Sequence, residues 1–168
     1  HQLPPTVIGE EAERLGLSET FFERLAAGPY AGELVTLLRV QHRMHEALMA
    51  YPNAATYGGA LRASPEVARA LLTEVEGVRD DPSRAGPFVL LDAVGRGWEE
   101  ERTGDDPSTR NPGNAERVAA EVRRLVSRGV GAADIGVITP YQAQVREIRD
   151  RLSELVDAGL EVSSVDGF

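Results

Sequence analysis

The chain reads as an α/β domain built on a mainly parallel sheet with helices on both faces. Three observations carry this reading. In the last third, Val118, Val122, Leu125 and Val126 recur at helical spacing, Ile135–Ile138 is a short apolar run, Val145, Ile148, Leu152 and Leu155 return to helical spacing, and Glu161–Val165 is extended again. Strand, helix, strand in that order is a βαβ unit, whose two strands run parallel in a doubly wound sheet. The strands are also near-continuous apolar runs rather than alternating ones, as expected where both sheet faces are covered. Finally, polar clusters follow the strands at their carboxyl ends, where open α/β sheets bind ligands.

Taken in order, Leu17–Ala27 predicts a short helix with Ser18 as N-cap, Phe21, Phe22 and Leu25 on one side and Gly28-Pro29 as its stop. Leu34–Val40 predicts a buried strand that delivers the chain to Gln41-His42-Arg43-Met44-His45. A helix follows to about Ala50, broken near Pro52, and Tyr57-Gly58-Gly59 forms a turn before Leu61. Pro65–Leu72 is a weaker helix, and Phe88–Leu91 a second buried strand. The stretch 95–113 is polar, acidic and rich in Gly, Pro and Ser, so it predicts a long surface loop. Beyond it lie the helix through Val118 that Gly129 ends, the strand at Ile135, the helix closed near Gly159, and the last strand.

With 168 residues and 42% apolar content, the chain is long enough for one sizeable core. It starts on His1 and ends with Val165-Asp166-Gly167-Phe168, a strand running into a turn, so 1–168 is expected to be a domain truncated at both ends. No apolar run is as long as a membrane span and no signal peptide is evident, so a cytoplasmic setting without a membrane partner is expected. The absence of cysteine excludes disulfides and thiolate chemistry. A net charge of −9 argues against a protein that coats nucleic acid through a broad basic field, though not against a local groove. All 18 basic residues are arginine, a compositional bias, so only an arginine placed by a motif carries information.

Three such motifs lie at strand ends: Gln41–His45, Thr139-Pro140-Tyr141-Gln142-Ala143-Gln144, and Ser164–Phe168. In order and spacing they resemble the second motor domain of superfamily-1 helicases, in the branch of the up-frameshift and immunoglobulin mu-binding protein helicases. The opening His1-Gln2-Leu3-Pro4-Pro5-Thr6-Val7 resembles the tail of that family's third motif, and Gln41-His42-Arg43-Met44-His45 its Gln-Tyr-Arg-Met-His element. Leu90-Leu91-Asp92 and Asn111-Pro112-Gly113 follow the pattern too, so the likeness covers nearly the whole chain.

The resemblance implies a RecA-like, P-loop NTPase-type three-layer fold and one half of an ATP-driven translocase on single-stranded DNA or RNA. Gln2 would sense the ATP γ-phosphate, and Arg43 would be an arginine finger neutralising charge that develops on it. Gln41 and His42 would border the nucleotide, His42 standing where the family has a tyrosine that stacks on adenine. Thr139, Pro140, Tyr141, Ser164, Val165 and Asp166 would border the single-strand groove. The sequence contains no Gly-x-x-x-x-Gly-Lys-Ser/Thr loop, and the acidic pair that holds Mg²⁺ is also missing. ATP and Mg²⁺ would therefore be held mainly by a first RecA-like domain, the expected partner, and this piece alone would not hydrolyse ATP.

Plainer readings compete. His42 and His45 are three apart, but no Cys or further internal His completes a zinc site, so no metal is assigned. Tyr141 could simply pack against the next helix, Gln142 and Gln144 could face solvent in its first turn, and Trp98 could anchor the loop to the surface. Across the whole chain, the alternative to a motor is a non-catalytic α/β interaction module. A phosphate loop encoded upstream of His1 would favour the motor.

Overall fold

The computed structural model describes residues 7–167 except Ala85, Thr103, Asp105 and Asp106, and of Asp166 only the backbone. The chain divides into two units, His1–Ala70 and Leu71–Phe168.

The first unit begins with three short helices, α1 (Glu10–Arg14), α2 (Phe21–Ala27) and α3 (Ala31–Leu34). Thr20, not Ser18, caps α2. Its Oγ1 accepts the Glu23 N–H at 3.1 Å while the Glu23 carboxylate accepts the Thr20 N–H at 2.8 Å. Of the two candidate caps, only Thr20 has a carboxylate three residues on, and that reciprocal bond decides the start. Because Leu34 closes α3 and residues 35–39 pair with no strand, the strand expected over Leu34–Val40 contracts to β1 (Val40–Gln41).

Helix α4 (Glu46–Tyr57) runs through Pro52 instead of breaking there. Proline forfeits one backbone bond but does not end this helix, which stops at Gly58 in the left-handed region, φ +58°. β2 (Arg62–Ala63), which the sequence did not signal, pairs parallel with β1, Val40 opposite Arg62 and Gln41 opposite Ala63. Asn53 of α4 fixes the approach to β2, its Oδ1 accepting the Leu61 N–H at 2.9 Å and its Nδ2 donating to the Leu61 carbonyl at 3.0 Å. β1, α4 and β2 thus form a βαβ unit. The helix expected over Pro65–Leu72 is only a turn at 65–69, where the Ser64 carbonyl accepts the N–H groups of Val67 and Ala68. With Val67 and Ala68 only half-buried, no apolar face propagates it.

In the second unit, Phe88–Leu91 is extended but unpaired and exposed, Phe88 by 63% and Leu90 by 79%, where a buried strand was expected. The apolar run specifies that it wants cover but not which strand supplies it. The stretch 95–113 is not structureless either: β3 (Glu101–Arg102) and β4 (Thr109–Arg110) form an antiparallel hairpin. The Arg110 guanidinium joins Glu101 to Glu147, each at 2.8 Å. Trp98 anchors this loop on Gly113, where a Cβ would fall 2.4 Å from the indole.

Helix α5 (Pro112–Ser127) starts with Asn111 as cap, its side chain accepting the Asn114 N–H at 2.9 Å, and with Pro112 in the first turn, where its missing donor costs nothing. β5 (Gly136–Thr139), α6 (Gln142–Arg151), α7 (Ser153–Asp157) and β6 (Glu161–Ser164) complete the expected βαβ unit, the helix being interrupted at Leu152. β5 and β6 run parallel in register, Gly136 opposite Glu161 through Thr139 opposite Ser164. Ala115, Ala119 and Val122 of α5 pack with Val145 and Ile148 of α6, Leu152 and Val162 into the main core.

Both parallel pairs therefore follow α/β grammar, but the described strands form three two-stranded sheets rather than one. Among the described residues, no helix is long and apolar enough to cross a membrane.

Ile148 is 1% exposed, so Ile148→Ala should lower unfolding stability by about 2–5 kcal/mol in denaturant titration. Val94→Ala, at a site 88% exposed, should stay within about 0.5 kcal/mol.

On the outer face of α5, Glu121 accepts from Arg84 at 2.9 Å and Arg124 at 2.8 Å and pairs with Arg117. Burial pushes its carboxyl pKa up, but the Arg124 bond and the three guanidinium charges outweigh that and hold it below the ordinary value of 4.5. A depressed folded pKa contributes stability above the unfolded value and loses it as pH falls through the folded one. Stability should therefore fall on acidification below 4.5, and less steeply in Glu121→Gln, as read by thermal melts across pH.

Candidate functional site

In the first unit the cluster at the carboxyl end of β1 is organised by one side chain. Gln41 Oε1 accepts the N–H groups of Arg43 at 2.8 Å and Met44 at 2.9 Å, and its Nε2 donates to the Met44 carbonyl at 2.7 Å. A primary amide offers a carbonyl and two N–H groups, so this one is largely committed to the loop. Its backbone carbonyl accepts the Ser64 N–H at 2.9 Å, which ties the loop to the end of β2. The geometry makes Gln41 the residue that shapes the loop around Arg43.

Arg43 is exposed, and its guanidinium makes no hydrogen bond or ion pair among the described residues. Arg84, Arg110, Arg117, Arg124 and Arg151 pair with carboxylates, whereas Arg14, Arg24, Arg39, Arg62, Arg69, Arg102 and Arg149 share with Arg43 the lack of a side-chain partner among the described residues, so it is the motif that singles Arg43 out. His42 Nδ1 lies 3.7 Å from Glu66 Oε2, too far for a hydrogen bond, and the two side chains are 69% and 73% exposed. Such a surface pair contributes little to stability. Ser64 is 1% exposed and its Oγ makes no well-formed hydrogen bond. The pull of that hydroxyl, with Glu66's own N–H and the charge of His42, holds the Glu66 carboxyl below the ordinary range. His45 is spent locally: Nδ1 accepts the Ala47 N–H at 3.0 Å and caps α4.

In the second unit, parallel register brings Thr139 and Ser164 to the same rim, so Thr139-Pro140-Tyr141 and Ser164-Val165 are neighbours. Gln142 Nε2 donates to Ser164 Oγ at 2.9 Å and joins the two motifs directly. Thr139 and Ser164 are buried, 7% and 6% exposed, whereas Pro140, Tyr141 and Val165 face outward. Val165–Gly167 is a 3₁₀ turn that contains the Asp166 backbone. A Cβ at Gly167 would meet Ser163 Oγ at 2.4 Å, so a side chain there would require the Ser163 hydroxyl to turn away.

The first turn of α6 is held from outside. Ser108 Oγ accepts the Ala143 N–H at 2.9 Å, and Gln144, buried rather than solvent-facing, accepts the Asn111 N–H at 2.7 Å through Oε1. Ser108 and Glu66 are the site neighbours that sequence reasoning passed over, and Gln142 and Gln144, read there as first-turn residues that could face solvent, are instead tied to Ser164 and Asn111; each acts across a gap of many residues that no local pattern reports. Gln2 lies outside the described residues. No cluster of three or more His, Cys, Asp or Glu among the described residues could hold a metal ion.

Parallel strands joined by crossover helices, with polar loops gathered at their carboxyl ends, define an α/β domain of the class whose ligands sit at that rim. More specifically, the chain belongs to the AAA domain family, whose profile matches residues 17–168. It is 41% identical over 167 residues to the DNA-binding protein SMUBP-2 of Rattus norvegicus, covering 99% of this chain and 17% of that protein. It is 33% identical to the DNA polymerase alpha-associated DNA helicase A of Saccharomyces cerevisiae, covering 99% of this chain and 26% of the relative. An ATP-dependent helicase of Methanocaldococcus jannaschii is 36% identical over 99% of this chain and 24% of its own length. The chain therefore spans about a quarter or less, 17% to 26%, of these relatives. Their names agree with the superfamily-1 helicase resemblance of the motifs.

Gln41→Ala should release the loop without unwinding α4, whose cap is His45. The Arg43 and Met44 amides should then exchange with deuterium at least about tenfold faster, while the Met49 amide keeps its protection.

Proposed function

We propose that this chain is the second RecA-like motor domain of a superfamily-1 helicase, a single-strand translocase whose ATP site is shared with a first RecA-like domain outside this sequence. The reading rests most heavily on Arg43, a cation left without a partner among the described residues on a loop that Gln41 holds in shape. A guanidinium kept charged, exposed and backed by a fixed backbone suits an arginine finger, because little reorganisation is needed when charge develops on a transferring phosphoryl group.

In this mechanism ATP is the substrate, and the first domain holds most of it together with Mg²⁺, which supplies charge neutralisation at the phosphates. The chain's own residues complete the site when the cleft closes. Arg43 faces the γ-phosphate, Gln2 orients the phosphate or the attacking water, His42 borders the base, and Gln41 positions Arg43. Hydrolysis removes the group that Arg43 holds, and the cleft reopens.

The grip on DNA or RNA belongs to the second rim. Pro140, Tyr141 and Val165 offer the outer surface, while the buried Thr139 and Ser164, the latter bonded to Gln142, keep the two loops in a fixed relation. Asp166 is assigned to the same rim. Contacts of this kind hold a backbone without reading bases.

In the full-length protein, Arg43→Ala should leave nucleotide binding in place and lower ATP turnover by roughly 10³-fold or more. Arg43→Lys should not restore it, since a point charge lacks the planar fork of donors. Steady-state hydrolysis equal to the parent's would remove Arg43 from the mechanism.

A further inference from the structure

The bonds within the Arg43 loop give it a shape, but a shaped loop can still shift as a whole; its place is set by bonds to other elements. At its start the Gln41 carbonyl accepts the Ser64 N–H at 2.9 Å, and at its end the N–H of Glu46, the first residue of α4, donates to the Ala68 carbonyl at 3.1 Å. Both partners belong to one turn, 64–68, which the Ser64 carbonyl closes by accepting the N–H groups of Val67 at 3.1 Å and Ala68 at 2.9 Å. That turn is itself anchored. Ser64 is 1% exposed and directly follows β2, the strand paired with β1.

We propose that the turn 64–68 is the platform that sets the reach of Arg43, with Glu46 as a positioning residue that acts through its backbone N–H; this rests on the reading of Arg43 as an arginine finger. The first N–H groups of a helix have no partner inside it. In α4 the next two are met by the capping residue: His45 Nδ1 accepts the Ala47 N–H at 3.0 Å, and the His45 carbonyl accepts the Leu48 N–H at 3.0 Å. The Glu46 N–H is the one spent on a different element, while its side chain is exposed. A loop held at one end swings about that end, whereas a loop held at both ends by one closed turn moves only with the turn. A guanidinium that must meet charge developing on a phosphoryl group needs the second arrangement, because a misplacement of about 1 Å can cost roughly 10²-fold in rate.

Proline suits the first helical position, and His45 before it is already extended, φ −53° and ψ 147°, so Glu46→Pro deletes this N–H and leaves α4 in place. Glu46→Ala loses the same carboxylate and keeps the N–H. In the full-length protein, kcat for ATP hydrolysis should be at least about tenfold lower in Glu46→Pro than in Glu46→Ala, with KM for ATP within about threefold. Built into Arg43→Ala, the two variants should hydrolyse ATP equally, because the bond acts only through the Arg43 guanidinium. Equal kcat in the proline and alanine variants, beside a loss in Arg43→Ala, overturns the platform and leaves the arginine finger standing; Arg43→Ala at the parent's rate removes both. A difference between proline and alanine that persists undiminished without Arg43 also overturns it, since the bond then serves the fold alone. Should Glu46→Pro fail to fold, the parent decides: its Glu46 amide should exchange at least about tenfold slower than the free-peptide rate, and free exchange there beside a protected Met49 amide overturns the proposal.

Discussion

Two neighbouring strands that run parallel cannot be joined by a tight turn; the chain must return across the whole strand length, and a helix does this while burying one face. The second unit depends on that constraint. Helix α6 carries the chain back from β5 to β6 only because Val145 and Ile148 find cover against Ala115, Ala119 and Val122 of α5. Once the crossover is made, both strands must end at the same rim. Thr139 and Ser164, 25 positions apart along the chain by their numbers, come opposite each other in the register. The loops that follow them become neighbours without any affinity of their own. In the first unit β1, α4 and β2 obey the same rule on a smaller scale, which sets the loop of Arg43 beside the end of β2.

Around these frames the joining work falls to primary amides. Gln41 shapes its loop, Asn53 aligns the approach to β2, Asn111 starts α5, Gln142 links the two rim motifs, and Gln144 ties Asn111 to the start of α6. An amide is suited to this because it donates and accepts at once and stays neutral, so it can be buried without the desolvation cost of a charge. The arginines are used differently. Most of those with assigned partners clamp carboxylates on the surface, as Arg124, Arg117 and Arg84 do around Glu121. Arg43 stands apart from them because its loop is shaped by a neutral side chain that leaves the cation unclaimed.

Those same amides explain what the sequence conceals. The last third was legible because its signal is local: spacing on α5 and α6, an apolar run at β5, glycine after each helix. Asn111 and Pro112 announced the start of α5 for the same reason. The strand expected at Leu34–Val40 survives only as Val40–Gln41, and that at Phe88–Leu91 has no partner, because apolar content records a need for burial while pairing depends on distant residues. β2 escaped notice since two residues, Arg62 and Ala63, carry no period at all. The rim motifs were visible as motifs, and the parallel register brings two of them together. Gln41's commitment to its own loop, the burial of Gln144 and the Ser108 cap are long-range or side-chain-specific facts that no spacing encodes.

An acidic chain on a polyanionic track poses a physical question for the proposed motor. A net charge of −9 denies it the counterion-release term that holds basic proteins on nucleic acid, so its grip must come from a few oriented donors and from outward groups such as Tyr141 and Pro140. For a translocase that is an advantage. A strand held by a broad basic field is bound about equally in every state of a cycle, and a ligand bound equally by two states shifts neither. A strand held by a small rim whose loops are fixed to a moving sheet can be bound differently when the cleft is open or closed. For the proposed motor, weak average binding with a strong difference between states is what would convert a nucleotide cycle into displacement.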